Sequence, residues 1–82
     1  MCSVYVLISE KIGKRYIGHT CRTVEERLRE HNSSISNFDK ANAPFRLVYV
    51  EICTDRSEAM KREKYLKTGS GRAWLDVKLE VG

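Results

Sequence analysis

The stretch KRYIGHT, residues 14–20, is the part of the sequence that decides the fold. Tyr16 and Ile17 favour a β-strand, and a glycine follows them within the same strand pattern. A glycine inside a strand often marks a place where another backbone or a ligand comes close. We therefore expect Gly18 to keep space open beside Tyr16 for a helix or a bound molecule.

The preceding segment, residues 3–9 (SVYVLIS), predicts a strand that pairs with this stretch in a hairpin. A hairpin centred on residues 10–11 would place Tyr5 opposite Tyr16, with their Cβ atoms roughly 5 Å apart. We therefore expect the two tyrosines to share one face of the sheet.

Two capping signals predict helices in the rest of the chain. Thr23 and Glu26 form a capping box, which predicts a helix that ends near residue 31. Asp55 or Ser57 caps a longer helix that extends to about Lys67. Between these helices lie a polar loop, a short turn around residues 38–41, and a third strand at residues 45–52.

The order of these elements is ββαβα, and a short C-terminal helix follows the glycines at 69 and 71. This order predicts an α/β protein of the α+β type, in which helices flank a three-stranded antiparallel sheet. A chain of 82 residues is long enough for one small core. We therefore expect a single domain over residues 1–82, with its core in about residues 3–75.

The net charge and the cysteine content limit the classes of protein to which this sequence can belong. The net charge of +4 fits an anionic partner, although many small soluble proteins reach this value by chance. Cys2, Cys21 and Cys53 have neither disulfide-framework nor zinc-site spacing, and free cysteines favour a reducing compartment. There is no signal-peptide pattern and no run near the ~18 apolar residues that span a membrane. We therefore expect a cytoplasmic protein without membrane association.

Three side chains occupy helix positions that should be apolar. Arg27 and His31 lie on the same face of the first helix as the apolar residues Val24 and Leu28. Glu63 lies on the apolar face of the later helix. A charge on an inward face costs free energy unless it is paired or lines a cleft. One interpretation is an Arg27–Glu63 ion pair beside a half-buried histidine. The other is a polar cleft where these groups meet the tyrosines, as at a functional site.

Taken together, these residues resemble the GIY-YIG nucleases. Residues 3–5 (SVY) stand where that family has Gly-Ile-Tyr, and residues 16–18 (YIG) match the second half of the motif. The family has an arginine on the first helix and a glutamate on a later one, here Arg27 and Glu63. His31 is similar to a residue of the small single-domain members and the structure-specific nucleases related to them. The resemblance covers nearly the whole chain.

The resemblance implies a metal-dependent endonuclease that hydrolyses DNA phosphodiester bonds in repair or recombination. Glu63 would bind one divalent ion, Mg²⁺ or Mn²⁺, and Arg27 would contact the phosphate through its planar fork. Tyr5 or Tyr16 would deprotonate water. The resemblance favours Tyr5 as this base, whereas the residues alone leave both open. His31 would hydrogen-bond a tyrosine or receive its proton.

The sequence departs from the family at the C-terminal end of the domain. The family often has an asparagine there, and no asparagine follows Glu63 in this chain. Either Ser70 or a backbone group takes the role of that asparagine, or this part of the site is altered.

Basic residues near the motif are candidates for contacts with the nucleic-acid backbone. Such contacts position the nucleic acid without reading its sequence, and they weaken with added salt. His19 would face away from Tyr16, as a candidate phosphate contact. The other candidates are Lys14, Arg15, Arg22, Lys64 and Lys67.

Two further functions fit the sequence. One is a DNA- or partner-binding module with the nuclease fold and little catalysis, and the other is a structural domain with a buried ion pair. A specific DNA interface usually covers on the order of 1,000 Å² of protein surface, which is a large share of the surface of a chain of this size. We therefore expect weak sequence specificity or selection of DNA structure, or targeting by a partner protein or a homodimer.

Overall fold

The computed structural model describes residues 1–32 and 44–80, without the side chains of His31 and Glu80, as a sheet with helices on both faces. The elements are β1 (Cys2–Ser9), β2 (Arg15–Thr20), α1 (Val24–Asn32), β3 (Phe45–Cys53), α2 (Arg56–Leu66) and α3 (Gly69–Glu80). The predicted α+β class and the order ββαβα with a C-terminal helix are confirmed. The predicted turn at residues 38–41 lies outside the described residues.

The central strand is β1, because the strand order is β2-β1-β3 with antiparallel pairing on both sides. Successive side chains of a strand point to opposite faces. Val4 and Val6 therefore pack in a cluster with Ala59, Leu66 and Leu75 of α2 and α3. On the other face the cluster consists of Tyr5, Leu7, Val24 and Phe45. The sheet is thus buried on both faces along its central strand.

The hairpin register differs from the predicted one by two residues. Tyr5 pairs with Gly18, and Tyr16 pairs with Leu7, so the expectation that the tyrosines lie directly opposite each other is wrong. The cause is the length of the turn. The backbone N–H of Ser9 donates to the carbonyl of Lys14 at 2.9 Å, so the connection is longer than a hairpin centred on residues 10–11 allows. A shift of two residues keeps both tyrosines on one face.

The helix caps follow the sequence closely. The Thr23 hydroxyl accepts a hydrogen bond from the Glu26 N–H at 3.2 Å, and Asp55 rather than Ser57 caps α2. The C-terminal helix is longer than expected, because the glycines at 69 and 71, which were expected to precede it, lie in its first turn. A Cβ at Gly71 would overlap the carbonyl oxygen of Tyr65. The missing side chain therefore lets α3 approach the end of α2.

The cysteines also differ from expectation. Cys2 and Cys21 form a disulfide, and Cys53 is free and buried. The antiparallel register pairs Ser3 with Thr20, which brings the residues next to them together. This pair therefore does not favour a reducing compartment, and cytoplasmic location stays a prediction. No helix among the described residues is long and apolar enough to cross a membrane.

Candidate active site

A pocket of about 280 Å³ lies at the β2 edge of the sheet. This site pocket is lined by Tyr5, Tyr16, Ile17, Gly18, His19, Arg27 and Glu63. The lining residues come from β1, β2, α1 and α2. The structure therefore brings together four of the five side chains that the sequence predicted as catalytic. The fifth is His31, whose side chain lies outside the described residues.

Tyr5 fills the space that Gly18 leaves on the neighbouring strand. A Cβ built on Gly18 would lie 2.6 Å from the Tyr5 hydroxyl oxygen and 2.8 Å from its Cζ. Only 3% of Tyr5 is exposed, so the ring is held in place. The sequence predicted that Gly18 keeps space open beside Tyr16, but it is the Tyr5 ring that occupies this space.

Tyr16 is positioned by the core on the same face. Its ring meets the ring of Phe45 edge-to-face, with 5.1 Å between centroids and an interplanar angle of 83°. This geometry is the favoured one for aromatic pairs. The Tyr16 ring, which lines the site pocket, is therefore held by the hydrophobic cluster on the face of the sheet that α1 covers.

Arg27 links Tyr5 of β1 to Glu30 on its own helix, α1. Its guanidinium hydrogen-bonds the Tyr5 hydroxyl, and its Nη1 donates to Glu30 Oε1 at 2.9 Å. The hydrogen bond to Tyr5 is the main cause that raises the pKa of Arg27 above its usual range, against the opposing effect of burial. Glu30 also binds Arg22 through both of its carboxylate oxygens, at 2.5 and 2.8 Å. Arg27 is thus fixed from two sides, with its charge retained.

Glu63 enters the site pocket from α2, on the opposite side of β2 from Arg27. Its Oε1 lies 2.6 Å from His19 Nδ1, and its Oε2 lies 2.8 Å from Lys67 Nζ. Burial opposes ionisation of this carboxyl. The hydrogen bonds from Lys67 and His19 outweigh burial and hold the pKa of Glu63 below its usual value. The group is therefore a carboxylate at neutral pH, and His19 Nδ1–H is the donor.

The Arg27–Glu63 ion pair that one interpretation of the sequence required is not formed within the described part of the chain. Arg27 pairs with Glu30, and Glu63 pairs with His19 and Lys67. The two charges instead line the same pocket from different helices. This arrangement favours the interpretation in which they converge on a polar cleft.

The residues predicted to contact the nucleic-acid backbone lie in different parts of the structure. Lys14, Arg15 and Lys67 line a larger cavity next to the site pocket. Arg22 is not part of the site-pocket lining and is paired with Glu30, and Lys64 is exposed on α2. Their roles in binding nucleic acid stay predictions.

Two residues next to the site have roles that were not predicted from the sequence. His19 was considered only as a phosphate contact, yet it is the hydrogen-bond partner of Glu63. Glu30, which holds Arg27, was not considered, although its spacing of three residues on the same helix was a readable signal. Ser70 is exposed in the first turn of α3 and is not part of the site-pocket lining.

Comparison with known proteins agrees with the fold. The family model of the GIY-YIG catalytic domain matches residues 1–75. Among curated proteins, UPF0213 protein SH2523 of Staphylococcus haemolyticus is 39% identical over 79 residues, covering 94% of this chain and 95% of that protein. UPF0213 protein SSP2268 of Staphylococcus saprophyticus is 35% identical over 72 residues, covering 87% of each chain.

A third relative, UPF0213 protein DP2720 of Desulfotalea psychrophila, is 44% identical over 57 residues, which are 67% of this chain and 51% of that protein. The chain thus spans about half the length of this relative. No solved structure matches the chain at a significant level. The chain belongs to the GIY-YIG family, whose domain is a nuclease domain.

Proposed function

We propose that the protein is a metal-dependent DNA endonuclease that hydrolyses phosphodiester bonds. The observation that carries this proposal is the site pocket, in which two tyrosines, an arginine and a carboxylate converge from four elements. Phosphoryl transfer needs positive charge on the non-bridging oxygens and an activated water. The pocket offers residues for both tasks.

Arg27 is the group that would bind the scissile phosphate. About a third of its side chain, 33%, is exposed, so the guanidinium reaches the pocket while Glu30 and Tyr5 hold it. A guanidinium fork can bind two phosphate oxygens at once. The hydrogen bond of Arg27 to the Tyr5 hydroxyl places that hydroxyl beside the phosphate-binding group. This contact favours Tyr5 over Tyr16 as the group that accepts a proton from water.

The residues of the pocket fit one hydrated divalent ion. Glu63 offers a carboxylate, and Mg²⁺ often binds proteins through one or two carboxylates while it keeps several waters. The described residues contain no cluster of three His, Cys, Asp or Glu side chains that would hold an ion without such waters. When bound, the ion would supply a Lewis acid for the phosphate and the leaving oxygen. Mg²⁺ and Mn²⁺ are the proposed ions.

One observation favours a second candidate, a DNA-binding module with little catalysis. Both oxygens of Glu63 already have hydrogen-bond donors, Lys67 and His19. A cation at Glu63 would have to displace at least the exposed Lys67. Ser70, the residue considered as a replacement for the family asparagine, is also outside the site-pocket lining. In that case the protein would bind DNA without cutting it.

The test is cleavage of labelled single-stranded, linear, flap and branched DNA with Mg²⁺, Mn²⁺ or EDTA. We expect metal-dependent nicking that Glu63→Gln reduces by about 10³-fold, because such charge stabilisation contributes several kcal/mol. Glu25→Gln removes an exposed carboxylate from α1 and serves as the matched control.

DNA binding without cleavage under any of these conditions would replace the nuclease with the binding module. Equal cleavage by the wild-type protein and Glu63→Gln would contradict the role of Glu63. A role in DNA repair or recombination stays a prediction, and the preferred DNA shape in this assay is the first measurement that bears on it.

A further inference from the structure

A second cavity, of about 620 Å³, adjoins the site pocket. We call it the basic groove; it is lined by Lys14, Arg15, Tyr16, Ile17, Lys67, Arg72, Leu75 and Asp76. Tyr16 and Ile17 line both cavities, so the basic groove continues the site pocket along β2 towards α3. A molecule held in one cavity can therefore extend into the other.

The basic groove carries four cationic side chains and one carboxylate. Arg15 is paired with Asp76 at 2.6 Å, and Lys67 is paired with Glu63 at 2.8 Å. Within residues 1–32 and 44–80, Lys14 and Arg72 have no ion-pair partner, and both are exposed. The groove therefore has an excess of positive charge, and two of its cations are available to an anion.

The lining between these cations is apolar. Ile17 and Leu75 form part of the wall, and the Tyr16 ring stands where the two cavities meet. Grooves that bind single nucleic-acid strands combine cations along the backbone with apolar or aromatic surfaces for bases and sugars. Isolated surface lysines do not have this combination. Here cations from two distant parts of the chain converge on one concave surface beside the site pocket.

We propose that the basic groove binds the nucleotide next to the scissile phosphate, with Lys14 and Arg72 as contacts to its phosphate. This inference rests on the proposed function, and it extends the nucleic-acid interface to α3. Arg72 becomes a DNA-binding residue that the sequence did not predict. Its partner across the groove is Lys14, which lies just before β2.

The test is binding of short fluorescent DNA in EDTA, where no cleavage occurs, as a function of salt. The variants are Lys14→Ala, Arg72→Ala and the double variant, with Lys61→Ala as the control for removal of an exposed cation elsewhere on α2. Each groove substitution should reduce the slope of log affinity against log salt by roughly one unit. We expect about a tenfold loss of affinity for the double variant, and Arg72→Lys should retain binding.

The outcomes separate the two proposals. If the wild-type protein binds DNA and the groove variants behave like Lys61→Ala, the groove proposal is overturned and the proposed function stands. If the wild-type protein binds no DNA at low salt, both proposals fail. Because Lys14 and Arg72 are exposed, thermal unfolding should be unchanged in all variants, which excludes misfolding as the cause of a loss.

Discussion

At the scale of single residues, the contact between Tyr5 and Gly18 makes the site sensitive to one methyl group. In Gly18→Ala the new Cβ would overlap the buried Tyr5 ring. We expect a loss of about 1–3 kcal/mol in the free energy of unfolding. Cleavage should fall by about 10²-fold, since a catalytic group displaced by about 1 Å costs that much. Urea denaturation and the cleavage assay measure the two effects.

The control for this substitution is Gly69→Ala. A Cβ on Gly69 would have no atom within 4 Å, so an added methyl group there should change neither quantity. If Gly18→Ala behaved like Gly69→Ala, the close contact with Tyr5 would have no consequence for the site.

At the scale of elements, Glu30 connects α1 to the segment after β2. Hydrogen bonds from Arg22 and Arg27 lower the pKa of Glu30. A lowered pKa stabilises the fold at pH values above the usual glutamate value of about 4.3, and this stabilisation is lost as the pH falls through the lowered value. Glu30→Gln should therefore be less stable than the wild-type protein at pH 7, and the difference should shrink below about pH 4.

Urea denaturation at several pH values measures this difference, with Glu25→Gln as the control because that carboxylate is exposed. A difference that stayed constant down to pH 3 would show that the ion pairs of Glu30 do not contribute through its ionisation.

The disulfide ties the first residue of β1 to the residue that follows β2. The two cysteines are 19 residues apart, and a crosslink that closes a loop of this size typically contributes about 2–4 kcal/mol. The double variant Cys2→Ser/Cys21→Ser should lose that much stability, and only the wild-type protein should respond to a reductant. Thermal unfolding with and without reductant tests this. Thiol labelling of all three cysteines in the denatured, unreduced protein would contradict it.

The sequence predicted the elements and their faces better than the contacts between them. Capping residues and strand periodicity are local signals, so Thr23, Asp55 and the shared face of the tyrosines could be predicted. The register of the hairpin depends on how many residues the turn contains. Because the turn is longer than predicted, the strand partner of Tyr5 is Gly18 and not Tyr16. The His19–Glu63 pair joins groups 44 residues apart across a strand and a helix, and no local pattern predicts such a contact.

At the scale of the whole molecule, size limits how much DNA one chain can contact. The principal extents are 28 × 27 × 21 Å. With a rise of about 3.4 Å per base pair, one face spans about eight base pairs of duplex. Affinity for duplexes of increasing length should therefore rise steeply to about eight base pairs and slowly after that. A required length well above one helical turn would indicate two copies on the DNA and support the predicted homodimer.

The position of β2 at the edge of the sheet has a consequence for heat inactivation. Among the described strands, β2 is hydrogen-bonded on one side only, yet it carries Tyr16, Gly18 and His19. Edge elements open more readily than the core of a fold. The disulfide and the turn hold the two ends of β2 against β1, so local opening would occur between them. Such opening would separate Tyr16, Gly18 and His19 from Arg27 and Glu63 while the rest of the sheet persists. Cleavage activity should then disappear reversibly at a temperature below the melting point of the protein. The loss of activity would measure the local opening of one strand.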